Sequence, residues 1–207
     1  MKLIVISNPI NLNEEHSILN ALFENGLEYY HLRKPEFTYN ELKEYIQQIP
    51  QQYRNKVVLH SHHQLAIEYG LKGVHFTYKN PYPNSDNFPK KMQRSASLHS
   101  LEEIKKANSI FKYLFISPIF DSISKNNYKT TIDKTTLKLF LLERIKTSEI
   151  IALGGINSDT IAEAAEMGFD GVALLGSIWL SDKPIESFKQ LINIVSGFNR
   201  IEKSTHA

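Results

Sequence analysis

Short apolar segments recur along the chain, and most of them are followed by a stretch in which apolar residues repeat with helical spacing. Several segments are continuously apolar, as expected of parallel strands that are covered on both faces. The fifth segment, which begins at Ser95, has the weakest signal. The pattern predicts eight strands, at residues 3–6, 29–32, 57–59, 73–76, 95–98, 113–116, 150–153 and 172–175.

Capping residues and apolar stripes predict helices between these strands. Thr38 and Glu41 have the spacing of a capping box, as do Ser100 and Glu103, and each pair precedes a helical stretch. Pro184 suits the first turn of the last helix. The first and last helices each carry an apolar stripe for packing on a sheet, formed by Ile18, Leu19, Leu22 and Phe23 and by Phe188, Leu191, Ile192 and Val195.

Three segments interrupt the alternation of strands and helices. Residues 77–91 are rich in Pro, Asn and Lys, which predicts a loop with little or no helix after the fourth strand. Residues 120–131 are polar and lack helical periodicity, which predicts a long loop after the sixth strand. Loops of such length in compact domains are often functional. Residues 197–207 are expected to form a mobile C-terminal tail.

The order of elements indicates an α/β fold. Eight strands alternating with helices predict a single (β/α)8 TIM barrel over residues 1–196, followed by the tail at 197–207. An open doubly wound sheet shares the same alternation and is the alternative. The glycines that follow the last two strands favour the barrel, because barrels commonly bind phosphate there.

Composition narrows the classes of partner. The net charge of +2 creates no strong field, so neither nucleic acid nor an anionic membrane is expected to bind. The chain has no cysteine, which excludes disulfides and thiolate chemistry. Its apolar start reaches Asn8 and Pro9 too soon for a signal peptide, and no segment approaches a membrane-spanning length. We expect a cytoplasmic protein, and a homo-oligomer stays open.

Glycines follow both of the last two predicted strands. The seventh strand runs into Gly154 and Gly155, and the eighth runs into Gly176 and Ser177. Glycine lets the backbone approach an anion closely, and free amides at such turns supply hydrogen-bond donors. Either turn alone is explained equally well by packing. Two in succession favour a phosphate site.

Four histidines lie at or near the ends of four consecutive strands. Because these ends meet at one mouth of a barrel, His31, His60, His75 and His99 are expected to be neighbours. Arg33 could hold an anion through two parallel hydrogen bonds. His99 precedes a capped helix, and its imidazole suits proton transfer near neutral pH. A structural role is favoured for His75.

Two further polar segments bear on chemistry. Ser122, Ser124 and Lys125 in the loop after the sixth strand could close over a phosphate or pyrophosphate, although an ordinary solvated loop fits equally well. His60, His62 and His63 suggest a metal site, but no carboxylate stands beside them at ligand spacing. We therefore predict no bound metal and leave the role of these histidines open.

Several of these segments, in this order, resemble the thiamine phosphate synthase/TenI superfamily. The likeness extends over most of the chain, and it rests on His31-Leu-Arg-Lys34, Gly73-Val-His75, Ser97-Leu-His-Ser100, Ser117-Pro-Ile-Phe120, Ser122-Ile-Ser-Lys125, Ala152-Leu-Gly-Gly-Ile156 and Gly168-Phe-Asp-Gly-Val172.

The resemblance implies a (β/α)8 fold and a ligand that is a thiazole phosphate, thiamine phosphate or related molecule. It implies phosphate binding by Gly154, Gly155 and Gly176, to which we add Ser177. The family's hydroxyl-and-lysine loop corresponds to Ser122, Ser124 and Lys125, with serines where threonines are usual. His31 and Ser97 are further expected contacts to the ligand.

The chain departs from the synthases of this superfamily at their metal site. Synthases carry an Asn-Asp pair after the third strand, where this chain has His60 and Ser61, and an aspartate in the next loop, where it has Asn80. Those aspartates hold the Mg²⁺ that neutralises the departing pyrophosphate. Mg²⁺ prefers carboxylate oxygen and is poorly served by His, Ser and Asn.

Residues 98–103 resemble the TenI branch instead, which includes thiazole tautomerases. These isomerases move a proton to convert a thiazole carboxylate phosphate to its aromatic isomer, without a cofactor. The resemblance implies His99 as the proton carrier and Arg33 with Lys125 as the carboxylate site. The alternatives are a Mg²⁺-dependent thiamine phosphate synthase and a non-catalytic regulator that binds thiamine phosphates.

Overall fold

The computed structural model describes residues 1–83, 88–107, 111–120, 133–144 and 147–205, with side chains up to residue 198. Its strands form one closed barrel in which each strand pairs in parallel with the next and β8 pairs with β1. The expected single (β/α)8 barrel is therefore confirmed. The strands are β1 Lys2–Ile6, β2 Tyr30–Leu32, β3 Val57–Leu59, β4 Gly73–Phe76, β5 Gln93–Leu98, β6 Tyr113–Ile116, β7 Glu149–Leu153 and β8 Gly171–Leu174.

The helices surround this barrel. No helix lies between β4 and β5 in the part of that connection that the structure describes, as the Pro- and Asn-rich sequence predicts. The helices are α1 Glu15–Glu24, α2 Tyr39–Gln48, α3 Gln51–Arg54, α4 Gln64–Glu68, α5 Leu101–Ala107, α6 Lys134–Glu143, α7 Ile161–Glu166, α8 Gly176–Trp179 and α9 Pro184–Thr205.

Two helices begin at the predicted capping boxes. The Thr38 hydroxyl accepts from the Glu41 amide, and the Glu41 carboxylate accepts from the Thr38 amide at the start of α2. Ser100 and Glu103 make the same reciprocal pair at the start of α5, with distances of 3.1 and 3.2 Å. Each box satisfies amides that have no partner inside the helix.

The C-terminal boundary differs from the sequence prediction. α9 continues through Thr205, so the predicted tail at 197–207 is helical over 197–205 and the domain boundary at 196 falls inside a helix. The reason is the apolar stripe of α9, which extends beyond Val195 because Phe198 also packs against the core. Among the described residues, no helix is long and apolar enough to cross a membrane.

The core has two layers because alternate residues of each strand point to opposite faces. One layer fills the space between strands and helices, with Val5, Leu114 and Val172 among its members. The other fills the inside of the barrel and includes Ile4, Ile6, Tyr113, Phe115, Ile151 and Ala173.

A buried ion pair joins α1 to the end of β2. Lys34 Nζ lies 2.5 Å from Glu15 Oε2, and neither side chain is exposed to solvent. Lys34 also donates to the Ile10 carbonyl, while the hydroxyls of Tyr30 and Tyr45 lie within hydrogen-bond distance of Glu15 Oε1. Burial lowers the pKa of Lys34, and burial beside Glu15 raises the pKa of both tyrosines. Lys34 thus belongs to the scaffold.

Breaking this pair should destabilise the fold. Glu15→Gln should lower the free energy of unfolding by about 3–5 kcal/mol, because it leaves a buried ammonium group without its counter-charge. Adding Lys34→Met should recover most of the loss, since no buried charge then remains. Urea unfolding measures both effects.

The exposed pair between Lys43 and Glu68 provides the matched control. Glu68→Gln should leave the urea midpoint unchanged, because exposed pairs contribute little. If the double variant Glu15→Gln/Lys34→Met were as unstable as Glu15→Gln alone, the explanation by an uncompensated buried charge would be wrong.

Candidate functional site

A cavity of about 640 Å³ opens at the carboxyl ends of the strands. The loops after β7 and β8 form much of its wall, and Arg33 from the end of β2 lies on it as well. The predicted residues Gly154, Gly155, Gly176 and Ser177 all line this one cavity. The structure therefore brings together two glycine turns whose nearest glycines, Gly155 and Gly176, are 21 positions apart in the sequence.

The turn after β7 requires glycine for two separate reasons. Gly154 and Gly155 have φ angles of +96° and +64°, in the left-handed region that side chains disfavour. A Cβ on Gly154 would also lie 3.0 Å from Cα of Pro118, so the loop after β6 would have to move. Glycine at 154 lets this loop approach closely enough to form the other side of the cavity.

Side chains hold the rest of this turn in place. Thr160 donates from its hydroxyl to the Gly155 carbonyl at 3.0 Å and accepts from the Asn157 amide at 3.0 Å. The Asn157 side-chain oxygen accepts from the amides of Asp159 and Thr160. These contacts fix the carbonyl side of the turn, and the Gly155 amide has no hydrogen-bond partner among the described residues.

The turn after β8 offers further donors. The Ser177 hydroxyl is shielded from solvent and has no hydrogen-bond partner in the described part of the chain, although it lines the cavity. A buried polar atom without a partner is costly, which indicates a site completed by a ligand or water. The Trp179 indole fixes this turn by donating to the Ile6 carbonyl at 2.7 Å.

Arg33 supplies positive charge to the cavity. Its backbone is fixed to Ser7, whose hydroxyl accepts from the Arg33 amide at 2.8 Å and donates to the Arg33 carbonyl at 2.9 Å. Its guanidinium group makes no ion pair within the described ranges. The neighbouring Lys34 is buried beside Glu15, so Arg33 is the basic residue after β2 that lines the cavity.

His99 lies beside the cavity and not on its wall. Its side chain is exposed, and Nδ1 lies 3.1 Å from the carbonyl of Ser117, a residue that lines the cavity. Since a carbonyl only accepts, Nδ1 must carry the hydrogen, which leaves Nε2 of the neutral ring as a proton acceptor. The Glu103 carboxylate accepts from the His99 amide at 2.7 Å and fixes the start of this loop.

The other three strand-end histidines lie together inside the barrel. His31 Nδ1 is 2.9 Å from His60 Nε2, and its Nε2 is 2.7 Å from the Tyr113 hydroxyl. His75 contacts the hydroxyls of Ser95 and Ser97, both at 2.8 Å. Three of the four predicted neighbours therefore meet, but His99 is not among them.

Burial determines the charge of these three rings. It lowers the pKa of His31 and His60 well below 6.5 and that of His75 to about 3, and Arg33 lowers the pKa of His60 and His75 further. All three rings are therefore neutral at physiological pH. The His75 ring lies between the two serine hydroxyls, and the structural role that its sequence context favoured stays a prediction.

Some residues that were predicted to contact the ligand do not line the cavity. His31 and Ser97 do not line it, because the alternation of β2 and β5 directs them towards the barrel interior and His75. Ser122, Ser124 and Lys125 lie outside the described residues.

Sequence reasoning missed Ser181, Ser187 and Gln190, which line the cavity from α9 and the segment before it. These residues carry no motif that would have indicated them.

The positions of the synthase metal ligands do not suit Mg²⁺ here. His60 is buried against His75, and Asn80 donates from its amide nitrogen to the His60 carbonyl at 3.3 Å. Among the described residues, no three carboxylates converge, and the only metal-capable group consists of histidines. Mg²⁺ requires hard oxygen ligands, so the donor set does not fit it.

The neutral histidines should make the fold sensitive to acid. Because the unfolded chain binds protons near pH 6.5 and the folded rings do not, their stabilising contribution is complete above about pH 7 and is lost as the pH falls. Each ring should remove about 1.4 kcal/mol per pH unit below 6.5. Urea unfolding between pH 7.5 and 5 measures the slope. His75→Gln should reduce it, and a flat profile would contradict the neutral cluster.

Comparison with known proteins agrees with this geometry. Residues 3–178 match the family described as thiamine monophosphate synthase, TMP-TENI. A thiamine-phosphate synthase of Listeria monocytogenes serotype 4b (strain F2365) is 29% identical over 151 residues, which are 71% of this chain and 70% of the relative. One from Bacillus cereus (strain ATCC 10987 / NRS 248) is 30% identical over 155 residues, covering 73% and 68%.

A solved structure is similar over nearly the whole chain. The thiamine phosphate pyrophosphorylase from Bacteroides thetaiotaomicron is 34% identical, has a TM-score of 0.81, and is matched over 95% of this chain and 98% of its own. The barrel, the cavity between its last two loops and the extent of these matches lead to one conclusion: the chain belongs to the thiamine monophosphate synthase/TenI family.

Proposed function

We propose that this protein is a thiazole tautomerase-type isomerase that binds a thiazole carboxylate phosphate and moves a proton on it without a metal. The observation that carries the proposal is the composition of the site. An anion pocket and an imidazole with a free nitrogen lie at the same end of the barrel, while carboxylates for Mg²⁺ do not converge in the described part of the chain.

The cavity suits a phosphate group. The free amide of Gly155, the Ser177 hydroxyl and the turn at Gly176 can donate hydrogen bonds, and Arg33 supplies a full positive charge. Hydrogen bonds from several fixed donors to an anion are stronger than those to a neutral group. A volume of about 640 Å³ also leaves room for a heterocycle beside the phosphate.

His99 is the proton carrier in this proposal. Its Nε2 accepts a proton from a carbon of the non-aromatic isomer, and the resulting imidazolium returns a proton at the other end of the conjugated system. Atoms and charge therefore balance, and no oxidant is needed. Arg33 stabilises the carboxylate, and Lys125 remains a predicted second contact to it. The carbonyl of Ser117 keeps the His99 ring oriented throughout.

A thiamine-phosphate synthase is the second candidate, because both curated relatives described above are named thiamine-phosphate synthases. Joining a pyrimidine pyrophosphate to a thiazole phosphate releases pyrophosphate, and the superfamily resemblance implies that a synthase neutralises its charge with Mg²⁺. His60, Ser61 and Asn80 are poor ligands for that ion. The donor set therefore favours the isomerase.

Replacing the proton carrier tests the proposal. His99→Asn should lower the isomerisation rate by about 10²- to 10⁴-fold, the usual contribution of general acid–base catalysis, while binding of the thiazole carboxylate phosphate persists. The measurement is conversion of the non-aromatic isomer, followed by absorbance. His62→Asn, in the segment between β3 and α4 and away from the cavity wall, is the matched control and should leave the rate unchanged.

Two results would overturn this assignment. Release of pyrophosphate from both synthase substrates in the presence of Mg²⁺ would establish the second candidate. Tight binding without isomerisation by the unaltered protein would indicate a non-catalytic regulator.

The phosphate pocket has a separate test. Ser177→Ala should weaken binding of the phosphorylated thiazole about 10- to 100-fold, because a hydrogen bond to a charged group is lost. Binding of the same thiazole without phosphate should not change. Ser17→Ala, at an exposed position of α1 that does not line the cavity, is the control. Calorimetric titration measures all four combinations, and an equal loss for both ligands would place the phosphate elsewhere.

A further inference from the structure

The three-histidine cluster, formed by His31, His60 and His75, has no part in the proposed reaction. One ring nitrogen from each residue lies within 4.8 Å of the others, and all three residues are buried. Among the described residues, no other set of three His, Asp or Glu side chains is arranged to hold a metal. The rings come from β2, from the residue after β3 and from β4, so the barrel itself determines their separation.

The chemistry of the cluster selects a class of ion. Neutral imidazole suits Zn²⁺, Co²⁺, Ni²⁺ and Cu²⁺, and three histidines with an open fourth position are a known zinc coordination. The absence of carboxylates disfavours Mg²⁺ and Ca²⁺. We propose that His31, His60 and His75 form a binding site for one borderline transition-metal ion, with Zn²⁺ as its natural occupant.

Two of the three proposed metal ligands, His31 and His75, already make a hydrogen bond through the ring nitrogen that would not bind the ion. The Tyr113 hydroxyl contacts Nε2 of His31, which leaves Nδ1 directed at His60. Ser95 contacts Nδ1 of His75 at 2.8 Å, which leaves Nε2, now beside the Ser97 hydroxyl, to bind the ion. Metal-bound histidines generally use their second nitrogen in this way, and the partner fixes the ring orientation.

His60, the third residue of the cluster, is buried with an incomplete set of hydrogen bonds. Only 5% of its surface is exposed, yet its Nδ1 has no hydrogen-bond partner in the described part of the chain. Its ring stacks on His75 with centroids 4.2 Å apart and 26° between planes. Binding an ion in the plane of both rings requires one of them to rotate about its Cβ–Cγ bond. The ion would replace the contact between His31 and His60, and Arg33 nearby would limit its affinity.

Cobalt provides a visible probe for this site. The full chain, freed of any affinity tag and of metal by chelation, is titrated with Co²⁺. One equivalent should bind and produce the visible absorption of a four-coordinate nitrogen-ligated ion, and one equivalent of Zn²⁺ should abolish that absorption. X-ray absorption of the zinc form should show three imidazole ligands.

Variants separate this site from adventitious binding. His60→Gln should weaken Co²⁺ binding at least 100-fold, whereas His62→Gln, two positions along, should leave it unchanged. Tyr113→Phe keeps all three ligands and removes an outer hydrogen bond, so it should weaken binding about 10- to 100-fold. Circular dichroism confirms that each variant is folded.

Several outcomes would overturn the proposal. The first is that the wild-type protein binds no Co²⁺ at micromolar concentration. The second is that X-ray absorption shows fewer than three imidazoles around zinc. The third is that the affinity for Co²⁺ is unchanged in both His60→Gln and Tyr113→Phe. If His60→Gln does not fold, the ligand count and Tyr113→Phe decide alone. Isomerase activity does not enter this test, so its failure would leave the proposed function unaffected.

Discussion

Closure of the sheet between its first and last strands is the constraint on which the site depends. β1 and β8 pair from Lys2 opposite Gly171 to Val5 opposite Leu174, and a Cβ on Gly171 would lie 2.6 Å from the Lys2 carbonyl oxygen. The close approach therefore depends on glycine. Closure places the loops after β7 and β8 next to the end of β2, where Arg33 meets them around one cavity. In an open sheet these segments would lie at distant edges.

The alternation of side chains along each strand divides the polar residues into distinct roles. Arg33 lines the cavity, and His31, two positions earlier, lies inside the barrel bonded to His60. Lys34 points to the helix side of the sheet instead, where it pairs with Glu15 of α1. Basic residues that are adjacent in sequence thus experience opposite environments. Arg33 makes no ion pair within the described ranges, Lys34 has its charge compensated by Glu15 in the core, and burial keeps the histidines inside the barrel neutral.

The sequence predicted those features that depend on local chemistry. The eight strands, both capping boxes and the two glycine turns could be recognised because hydrophobic period, cap spacing and glycine have local causes. Features that depend on tertiary geometry could not be recognised from the sequence. Strand-end position alone did not reveal that His31 and His75 point into the barrel while His99 stays outside, since register and twist determine that. The pairing of Lys34 with Glu15 and the packing of Phe198 also depend on contacts between distant segments.

The bond from the Trp179 indole to the Ile6 carbonyl has a consequence for folding. It joins residues 173 positions apart, so the wall of the cavity that contains Gly176 and Ser177 is attached to the first strand of the barrel. This attachment cannot form until β1 and β8 have come together, because it links the end of β1 to the helix that follows β8. A partly folded chain in which the barrel is still open therefore has no complete cavity.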